Sequence, residues 1–231
     1  MDLLVEGTRR AIALLLGADP EIWAILWLSL QVSATATGLA LVIGIPVGVV
    51  LALARFPGRM LLVSGVNAGM GLPPVVVGLF VTILLWRAGP LGELEVLYTP
   101  AAIVIAQAAI ASPIVTGITL AAVQNIPEMF RLQLLGLGAS RRQMVWVVLR
   151  EARLPMLAAV MAGFGGIISE IGASMMVGGN IKGHTRTLTT AMVLETGKGN
   201  FDIAIALSIL LLTLVFLASW ALTSIQQRRA L

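Results

Sequence analysis

The chain of 231 residues contains no cysteine and a single histidine, His184. The lack of cysteine excludes disulfides, thiolate metal sites and cysteine nucleophiles. One histidine cannot supply a multi-histidine metal cluster or a Ser/His/Asp site with any redundancy. Charge is scarce as well, since 11% of the residues are charged, against about 25% in an ordinary soluble domain. The composition therefore argues against a soluble protein.

The chain is instead rich in apolar residues. They make up 58% of the chain, and the mean hydropathy is +1.00. The 24 glycines and 10 prolines are spread through the apolar runs, as expected for packed and bent membrane helices. The formal charge of +4 sits in short loops between these runs, so the basic residues indicate a membrane surface and no nucleic acid.

Five runs approach or exceed the roughly 20 apolar residues that a membrane-spanning helix needs. They cover 22–54, 60–86, 100–123, 154–177 and 203–227. We therefore expect an all-α, polytopic membrane bundle of about five transmembrane helices. Residues 1–21 are too poor in continuous apolar sequence for a signal peptide or a span and predict an interfacial amphipathic helix. Residues 22–231 form the predicted transmembrane domain.

The loops between the runs differ in charge from one side to the other. The segments around 55–59, 128–153 and 228–229 hold nine basic and two acidic residues, a net charge of +7. The opposite segments hold six basic and eight acidic residues, a net charge of −2. Because basic loops stay in the cytoplasm, we expect the N-terminus outside and the C-terminus in the cytoplasm.

The longest of the basic loops, 125–155, has helical patterns of its own. Asn125 with Glu128, and Ser140 with Gln143, have capping-box spacing. The glycines at 136 and 138 mark the point where a first short helix ends. The loop thus predicts a helix, a glycine turn and a second helix. The first helix has an apolar surface that lipid headgroups, the protein itself or another protein must cover. A partner protein and packing on the bundle are favoured equally by the residues. The members of this surface are Met129, Phe130, Leu134, Leu135 and Leu137.

Prolines interrupt two of the spans. Pro73 and Pro74 remove helical hydrogen bonds and predict a bent or broken second span. Ser112, Pro113 and Thr116 predict a similar interruption in the third. Broken helices often line cavities, so a pore-lining role is favoured over a kink that serves packing alone.

Glu170 is the one ionisable residue well inside a span. A buried carboxylate costs several kcal/mol unless it is paired or wetted. We expect a structural role, in which Glu170 accepts hydrogen bonds from a bent neighbouring segment or stays protonated.

The outer loop from 178 to 200 carries three basic residues and the histidine. Lys182, Arg186 and Lys198 either lower the barrier for an entering anion or belong to an ordinary hydrophilic loop, and the sequence favours neither. His184 has no second ligand within reach by spacing, so no metal site is expected.

Two stretches of the cytoplasmic loop resemble a known motif. Gly138-Ala139-Ser140, followed by the pair Leu154-Pro155, is similar to the coupling loop of binding-protein-dependent ABC importer permeases. The Glu-Ala-Ala positions of that motif hold Leu132, Gln133 and Leu134 here. In such permeases the loop fits a groove on a cytoplasmic ATPase.

Other stretches of the chain resemble one branch of these importers more specifically, the branch for molybdate and tungstate. Gly-Asn-Ile-Lys-Gly-His-Thr-Arg-Thr-Leu at 179–188, preceded by Ser-Glu-Ile-Gly-Ala at 169–173, is similar to a stretch of those permeases. The Arg-Phe-Pro-Gly-Arg segment at 55–59 and the Leu-Pro-Pro-Val-Val-Val-Gly segment at 72–78 agree with it. Gly-Asn-Phe-Asp at 199–202 is most like the tungstate branch.

The resemblance implies a type I ABC importer permease: a membrane subunit that forms the path for tungstate, or molybdate, and couples to an ATPase. Implied partners are a second copy of the chain, a pair of cytoplasmic ATPase subunits and an external binding protein, in a prokaryotic cytoplasmic membrane. The expected ATPase-coupling residues are Phe130, Leu134, Gly138, Ala139, Ser140 and Arg141. The expected pathway residues are Pro73, Pro74, Ser112, Pro113, Thr116, Ser169, Glu170 and Ser174, and those of the outer loop are Asn180, Lys182, Thr185 and Arg186.

The chain has no Gly-x-x-x-x-Gly-Lys-Ser/Thr phosphate-binding loop, so no cofactor is expected in it, and ATP with Mg²⁺ belongs to the partner. A secondary transporter or channel for another small anion is the alternative, although inverted repeats and several ionisable groups would be expected there. An intramembrane enzyme is disfavoured by the lack of a His-Glu-x-x-His motif and of a nucleophile with its base.

Overall fold

The computed structural model describes residues 2–17 and 20–228, which fold into eleven α-helices and one short 3-10 helix. The predicted all-α bundle is confirmed. The helices are α1 (Asp2–Leu16), α2 (Pro20–Leu53), α3 (Arg59–Met70), α4 (Pro74–Leu85), the 3-10 helix Gly92–Leu94, α5 (Pro100–Gln124), α6 (Glu128–Gly136), α7 (Arg141–Glu151), α8 (Arg153–Ile168), α9 (Gly172–Gly178), α10 (Leu188–Gly197) and α11 (Phe201–Arg228).

Three helices, α2, α5 and α11, are each long and apolar enough to cross a membrane alone. Two further pairs pass the same test together but are bent, α3 with α4 by 105° and α8 with α9 by 61°. By length and composition, the described residues therefore hold three single-helix spans, or up to five spans if each bent pair is one span. The five predicted runs match these elements, and the second and fourth runs are the broken ones.

The centre of the bundle is the crossing of α2 with α5. A methyl group on Gly44 would lie 2.7 Å from Val115 Cγ1, and one on Gly48 would lie 2.7 Å from the carbonyl oxygen of Thr116. Only hydrogen fits at both positions, so the backbones approach closely, as in the small-xxx-small motif of membrane helices. The largest cluster of buried apolar side chains surrounds this crossing.

The N-terminal helix α1 packs along α11. Gly7 is buried, and a methyl group there would overlap Ile205. Arg10 forms an ion pair with Asp202 at 3.2 Å. The interfacial position of this segment stays a prediction, and its residues 1, 18 and 19 lie outside the described residues, as do residues 229–231 of the predicted transmembrane domain.

Candidate functional site: a coupling loop and two broken spans

The turn between α6 and α7 is closed by Gly138 in a left-handed conformation, with φ of +87°. Its N–H donates to the carbonyl of Leu135 at 3.0 Å, and the N–H of Ala139 donates to the carbonyl of Leu134 at 3.1 Å. These two bonds are the Schellman pattern that ends a helix. Gly136 is the last residue of α6 and has an ordinary helical role. The predicted helix, glycine turn and second helix are present.

Ser140 begins α7 with a complete capping box. The N–H of Gln143 donates to Ser140 Oγ at 3.3 Å, and the N–H of Ser140 donates to Gln143 Oε1 at 2.8 Å. The second predicted capping box, at Asn125, is wrong. Asn125 stays in helical conformation at the end of α5, and the residue before α6 is Pro127, which makes no side-chain cap. The fixed φ and the missing N–H of Pro127 set the start of α6 instead.

The apolar surface of α6 divides between the bundle and solvent. Phe130 is half-buried and packs against the buried cluster that includes Val49, Val123 and Val148. Leu134 is also half-buried. The side chains that remain exposed form what we call the α6 outer face; they are Met129, Leu132, Leu135 and Leu137, between 40% and 86% exposed. Sequence reasoning did not include Leu132 in the apolar surface, because only the helix register shows which side of α6 faces away from the bundle.

Two arginines tie the end of α2 to its surroundings. Arg59 Nε donates to the carbonyl of Leu51 at 2.6 Å, in the last turn of α2. Arg55 pairs with Glu128 at 3.1 Å, at the start of α6. Both side chains of that pair are largely exposed, so the pair contributes at most about 1 kcal/mol. The pair joins the residues after α2 to the start of the coupling loop without fixing their positions.

The second span breaks where the proline pair predicts. The helix α3 ends at Met70, Pro73 is extended with ψ of 125°, and Pro74 is the first residue of α4. Proline is favoured at a first helical position because its missing N–H would be unpaired there in any case. The proline pair thus ends one helix and starts the next, with the 105° bend between them.

The fourth span breaks at 169–171, next to Glu170. Glu170 Oε1 accepts a hydrogen bond from the N–H of Ala173 at 3.0 Å, so the carboxylate caps the start of α9. Its backbone carbonyl accepts from Thr189 Oγ1 at 3.1 Å. Ser169 donates to the carbonyl of Gly165 at 3.0 Å. Of the expected structural roles, the structure contains the first, a hydrogen bond accepted from the bent segment.

The second halves of both broken spans pack directly on each other. A methyl group on Gly78 of α4 would lie 2.7 Å from the Cα of Ala173 in α9. One on Gly172 would lie 2.5 Å from Val75 Cγ2. Glycine is therefore required for α4 and α9 to approach this closely. The contact brings the two breaks together at one place in the bundle.

The predicted interruption of the third span is wrong. The helix α5 continues through Ser112, Pro113 and Thr116. Ser112 Oγ donates to the carbonyl of Ala108 at 2.6 Å, and Thr116 Oγ1 donates to that of Ser112 at 2.7 Å. These hydroxyls add side-chain hydrogen bonds to the backbone before and after Pro113, within one continuous helix. Pro113 instead packs against α3, since a methyl group on Gly69 of α3 would lie 2.9 Å from the Cβ of Pro113.

Gln107 of α5 is a functional candidate that sequence reasoning missed. It is 3% exposed. Its Nε2 donates to the carbonyl of Ile167 at 3.1 Å and contacts Ser174 Oγ at 3.4 Å. It therefore bridges α5 to both halves of the broken fourth span. Its Oε1 has no hydrogen-bond partner in the described part of the chain. The sequence did contain a signal for Gln107, because it is a polar amide side chain inside an apolar span. Burying such a side chain in a membrane costs free energy unless the amide forms hydrogen bonds.

The outer segment between α9 and α10 is folded by its own polar groups. Thr185 is buried, donates to the carbonyl of Gly178 at 2.5 Å and accepts from the N–H of Ile181 at 2.9 Å. Asn180 has a left-handed backbone with φ of +51°, and its Nδ2 donates to the carbonyl of Thr190 at 3.3 Å. Both residues therefore shape the loop, and in this conformation their bonds are made within the protein.

The outer basic residues are balanced by carboxylates. Lys182 pairs with Glu21 at 2.8 Å, and Arg186 lies 3.8 Å from the same carboxylate. These groups line a cavity of about 380 Å³ between α2, α10 and α11. His184 is exposed, and the described residues contain no cluster of His, Cys, Asp and Glu able to hold a metal ion.

The ends of α10 are fixed by buried or paired polar groups. The N–H of Leu188 donates to Ser29 Oγ of α2 at 2.8 Å. At the other end, Asn200 and Lys198 both donate to Glu195, each at 2.7 Å. The hydrogen bond from Asn200, followed by that from Lys198, lowers the pKa of Glu195 below its usual 4.5. This network closes the turn from α10 into α11.

Comparison with known proteins identifies the family. A model described as "Binding-protein-dependent transport system inner membrane component" matches residues 44–231. The tungstate uptake system permease protein of Peptoclostridium acidaminophilum is 38% identical over 98% of this chain and 100% of its own length. The molybdenum transport system permease protein of Escherichia coli K12 is 30% identical over 92% of this chain and 97% of its own.

A solved structure has the same fold. It is the inward-facing MetNI methionine ABC transporter, whose matched chain is 22% identical, with a TM-score of 0.74 over 91% of this chain and 98% of that one. The resemblance expected from the coupling loop and the outer segment is confirmed. This chain is a multi-pass membrane protein that serves transport and is not an enzyme. It belongs to the family of binding-protein-dependent transport system inner membrane components.

Proposed function

We propose that this chain is the permease subunit of an ATP-driven tungstate importer. The observation that carries the proposal is the identity of 38% to a tungstate permease along its whole length, against 30% to a molybdenum permease. The outer segment 179–188, which resembles the tungstate and molybdate branch, is also the segment that the buried threonines hold in a defined conformation. Molybdate is the substrate to compare with tungstate.

The substrate path runs where the two broken spans meet. Broken helices free backbone groups that can interact with an ion in a membrane. Pro73 and Pro74 open α4, and Ser169 lies at the break before α9. The backbone groups of the first break and the Ser169 hydroxyl of the second are therefore polar groups that can line the path. The carboxylate of Glu170 is occupied as the cap of α9. Ser112, Thr116 and Ser174 support the path from behind, since their hydroxyls are bonded within the bundle.

Two copies of the chain enclose this path. The helix α3 has no buried residue, and its side chains Met60, Leu61 and Leu62 are 53% to 83% exposed. A second copy that packs against the α3 and α4 side closes the path. Crosslinking or native mass spectrometry in mild detergent tests this arrangement. A lone monomer that transports substrate would contradict it.

The ATPase docks on the α6 outer face. An apolar face of this kind on a short helix is a common docking element, and Gly138, Ala139 and Ser140 set the angle between it and α7. ATP and Mg²⁺ are bound by the ATPase. Phe130 acts from inside the loop by supporting α6 against the bundle, and Leu134, which is half-buried, lies on the same helix one turn further on.

The coupling loop lies in the cytoplasm and the outer segment faces an external binding protein, as the charge bias of +7 against −2 indicates. The chain has no cysteine, so Ser140→Cys creates a unique label site. Ser140 is exposed. In intact cells we expect labelling by a membrane-permeant thiol reagent alone. Labelling by an impermeant reagent would reverse the orientation.

The substrate is tested by ATP hydrolysis in proteoliposomes that contain the permease and its ATPase. The matching binding protein is added empty or loaded with tungstate, molybdate or sulfate. We expect the tungstate-loaded protein to stimulate hydrolysis most. Stronger stimulation by molybdate would assign the importer to that ion, and equal rates with empty and loaded protein would refute the importer proposal.

A further inference from the structure

A second cavity lies on the cytoplasmic side, between the end of α2 and the α6–α7 pair. Its volume is about 630 Å³. One wall is apolar and belongs to the last turns of α2, and the facing wall belongs to α7. The lining residues are Val49, Val50, Leu53, Ala54, Arg55, Leu135, Arg141, Met144 and Val145. The cavity thus combines a long apolar surface with two guanidinium groups.

The charge of this cavity is of one sign, because none of its lining residues is acidic. Arg141 is exposed and makes no ion pair with any residue that the structure describes. The only ion-pair partner of Arg55 among those residues is Glu128, at 3.1 Å, with side chains 89% and 61% exposed. Such an exposed pair is weak and exchanges readily for a better ligand. Both guanidinium groups can therefore receive an anion.

The position of the cavity fits the boundary between membrane and water. Leu53 is the last residue of the long apolar helix α2, and the helix that faces it, α7, carries an interfacial pattern. Trp146 is 59% exposed and lies under the guanidinium of Arg150, which is 5.3 Å from the ring centroid. Tryptophan and arginine side chains of this kind are typical of the headgroup level.

We propose that this cavity binds an anionic phospholipid. The headgroup phosphate bridges Arg55 and Arg141, and one acyl chain lies along Val49, Val50 and Leu53. Arginine forks match phosphate oxygens in a bidentate way, and basic pockets between helices on the cytoplasmic side suit anionic headgroups. The bound lipid joins α2 to α7 and so steadies the coupling loop. This inference goes beyond the proposed function and is independent of the substrate.

Native mass spectrometry of the delipidated full chain tests the site. The protein is titrated with phosphatidylglycerol, phosphatidylcholine or inorganic phosphate. We expect phosphatidylglycerol to bind more tightly than phosphatidylcholine. Arg141→Gln and Arg55→Gln are each expected to weaken its binding about fivefold, the effect of losing one basic contact near the surface. Both arginines are exposed, so detergent melting is expected to stay unchanged.

Two further variants make the test specific. Arg142→Gln removes the same charge from the same helix, but Arg142 does not line this cavity. We expect its affinity to stay within about twofold of the parent. Glu128→Gln frees Arg55 from its ion pair, so its affinity is expected to rise. Arg142→Gln is the variant that separates the two accounts, because a diffuse charge effect would weaken binding as much at Arg142 as at Arg141. Both accounts expect Glu128→Gln to strengthen binding, so an unchanged or weaker affinity in that variant would contradict an anion site at Arg55.

Several results would overturn the proposal. Equal loss in Arg141→Gln and Arg142→Gln would show general attraction to a basic surface. Equal binding of phosphatidylcholine would show an apolar groove without phosphate recognition. Binding of inorganic phosphate with no preference for the lipid would show an ion site. Release of the lipid on addition of the ATPase would assign the cavity to the ATPase interface. None of these results depends on whether tungstate is transported.

Discussion

Two glycines in the coupling loop are expected to respond to the same substitution with opposite signs. Gly138 has φ of +87°, and an alanine in a left-handed conformation costs about 1–2 kcal/mol. Gly136 is helical, and alanine is favoured over glycine in a helix by about 0.5–1 kcal/mol. Neither added methyl group would touch another atom, because no heavy atom lies within 4 Å of it. Backbone conformation alone therefore separates the variants.

The expected difference between Gly138→Ala and Gly136→Ala is about 2 kcal/mol, or roughly a 30-fold change in the population of the native turn. We expect Gly138→Ala to lower substrate uptake per ATP hydrolysed in proteoliposomes, with insertion and detergent melting of the bundle nearly unchanged. Gly136→Ala is expected to keep or improve that ratio. If both variants transport with the same coupling, the Gly138 turn does not set the geometry that transmits ATPase motion.

Three other substitutions test the broken spans and the outer helix. Gly78→Ala forces α4 from the backbone of α9 and is expected to destabilise the bundle by about 1–3 kcal/mol, measured as a lower melting temperature in detergent; an unchanged melting temperature would show that the contact is loose. Ser29→Ala leaves the N–H of Leu188 buried without its acceptor and is expected to cost about 1–3 kcal/mol, whereas an increase in stability would contradict this bond. The hydrogen bond from Asn200 lowers the folded-state pKa of Glu195 below 4.5. The carboxylate therefore stabilises the fold above pH 4.5, and this contribution falls as the pH drops through the folded-state pKa. Glu195→Gln is expected to flatten the acid limb of the melting curve against pH, and an identical limb would refute the assignment.

The sequence predicted those features of the site that depend on local backbone chemistry. Pro73 with Pro74 predicted the break of the second span, because proline removes a helical hydrogen bond wherever the fold places it. Gly138 predicted a helix end, and Ser140 with Gln143 predicted the following helix start, because both motifs are complete within a few residues. Such features need no knowledge of the tertiary structure.

Features that depend on neighbouring helices were not predictable in the same way. Asn125 has capping-box spacing but belongs to the end of α5, since the helix runs past the position where the pattern would need it to stop. Pro113 does not break α5, which continues through it as one helix and packs there against α3. Phe130 packs against the bundle although its helix, α6, belongs to the connection between two spans. The bridge made by Gln107 joins residues 60 and 67 positions apart.

The most direct test of the proposed function is the accumulation of tungstate in proteoliposomes that contain two copies of this chain, the ATPase and the binding protein. Tungsten inside the vesicles is measured by mass spectrometry, with ATP or ADP available to the ATPase and with sulfate in a parallel sample. We expect ATP-dependent accumulation of tungstate that requires the binding protein. Tungstate entry at the same rate with ADP, or without the binding protein, would contradict an ATP-driven importer and favour a channel or a secondary transporter.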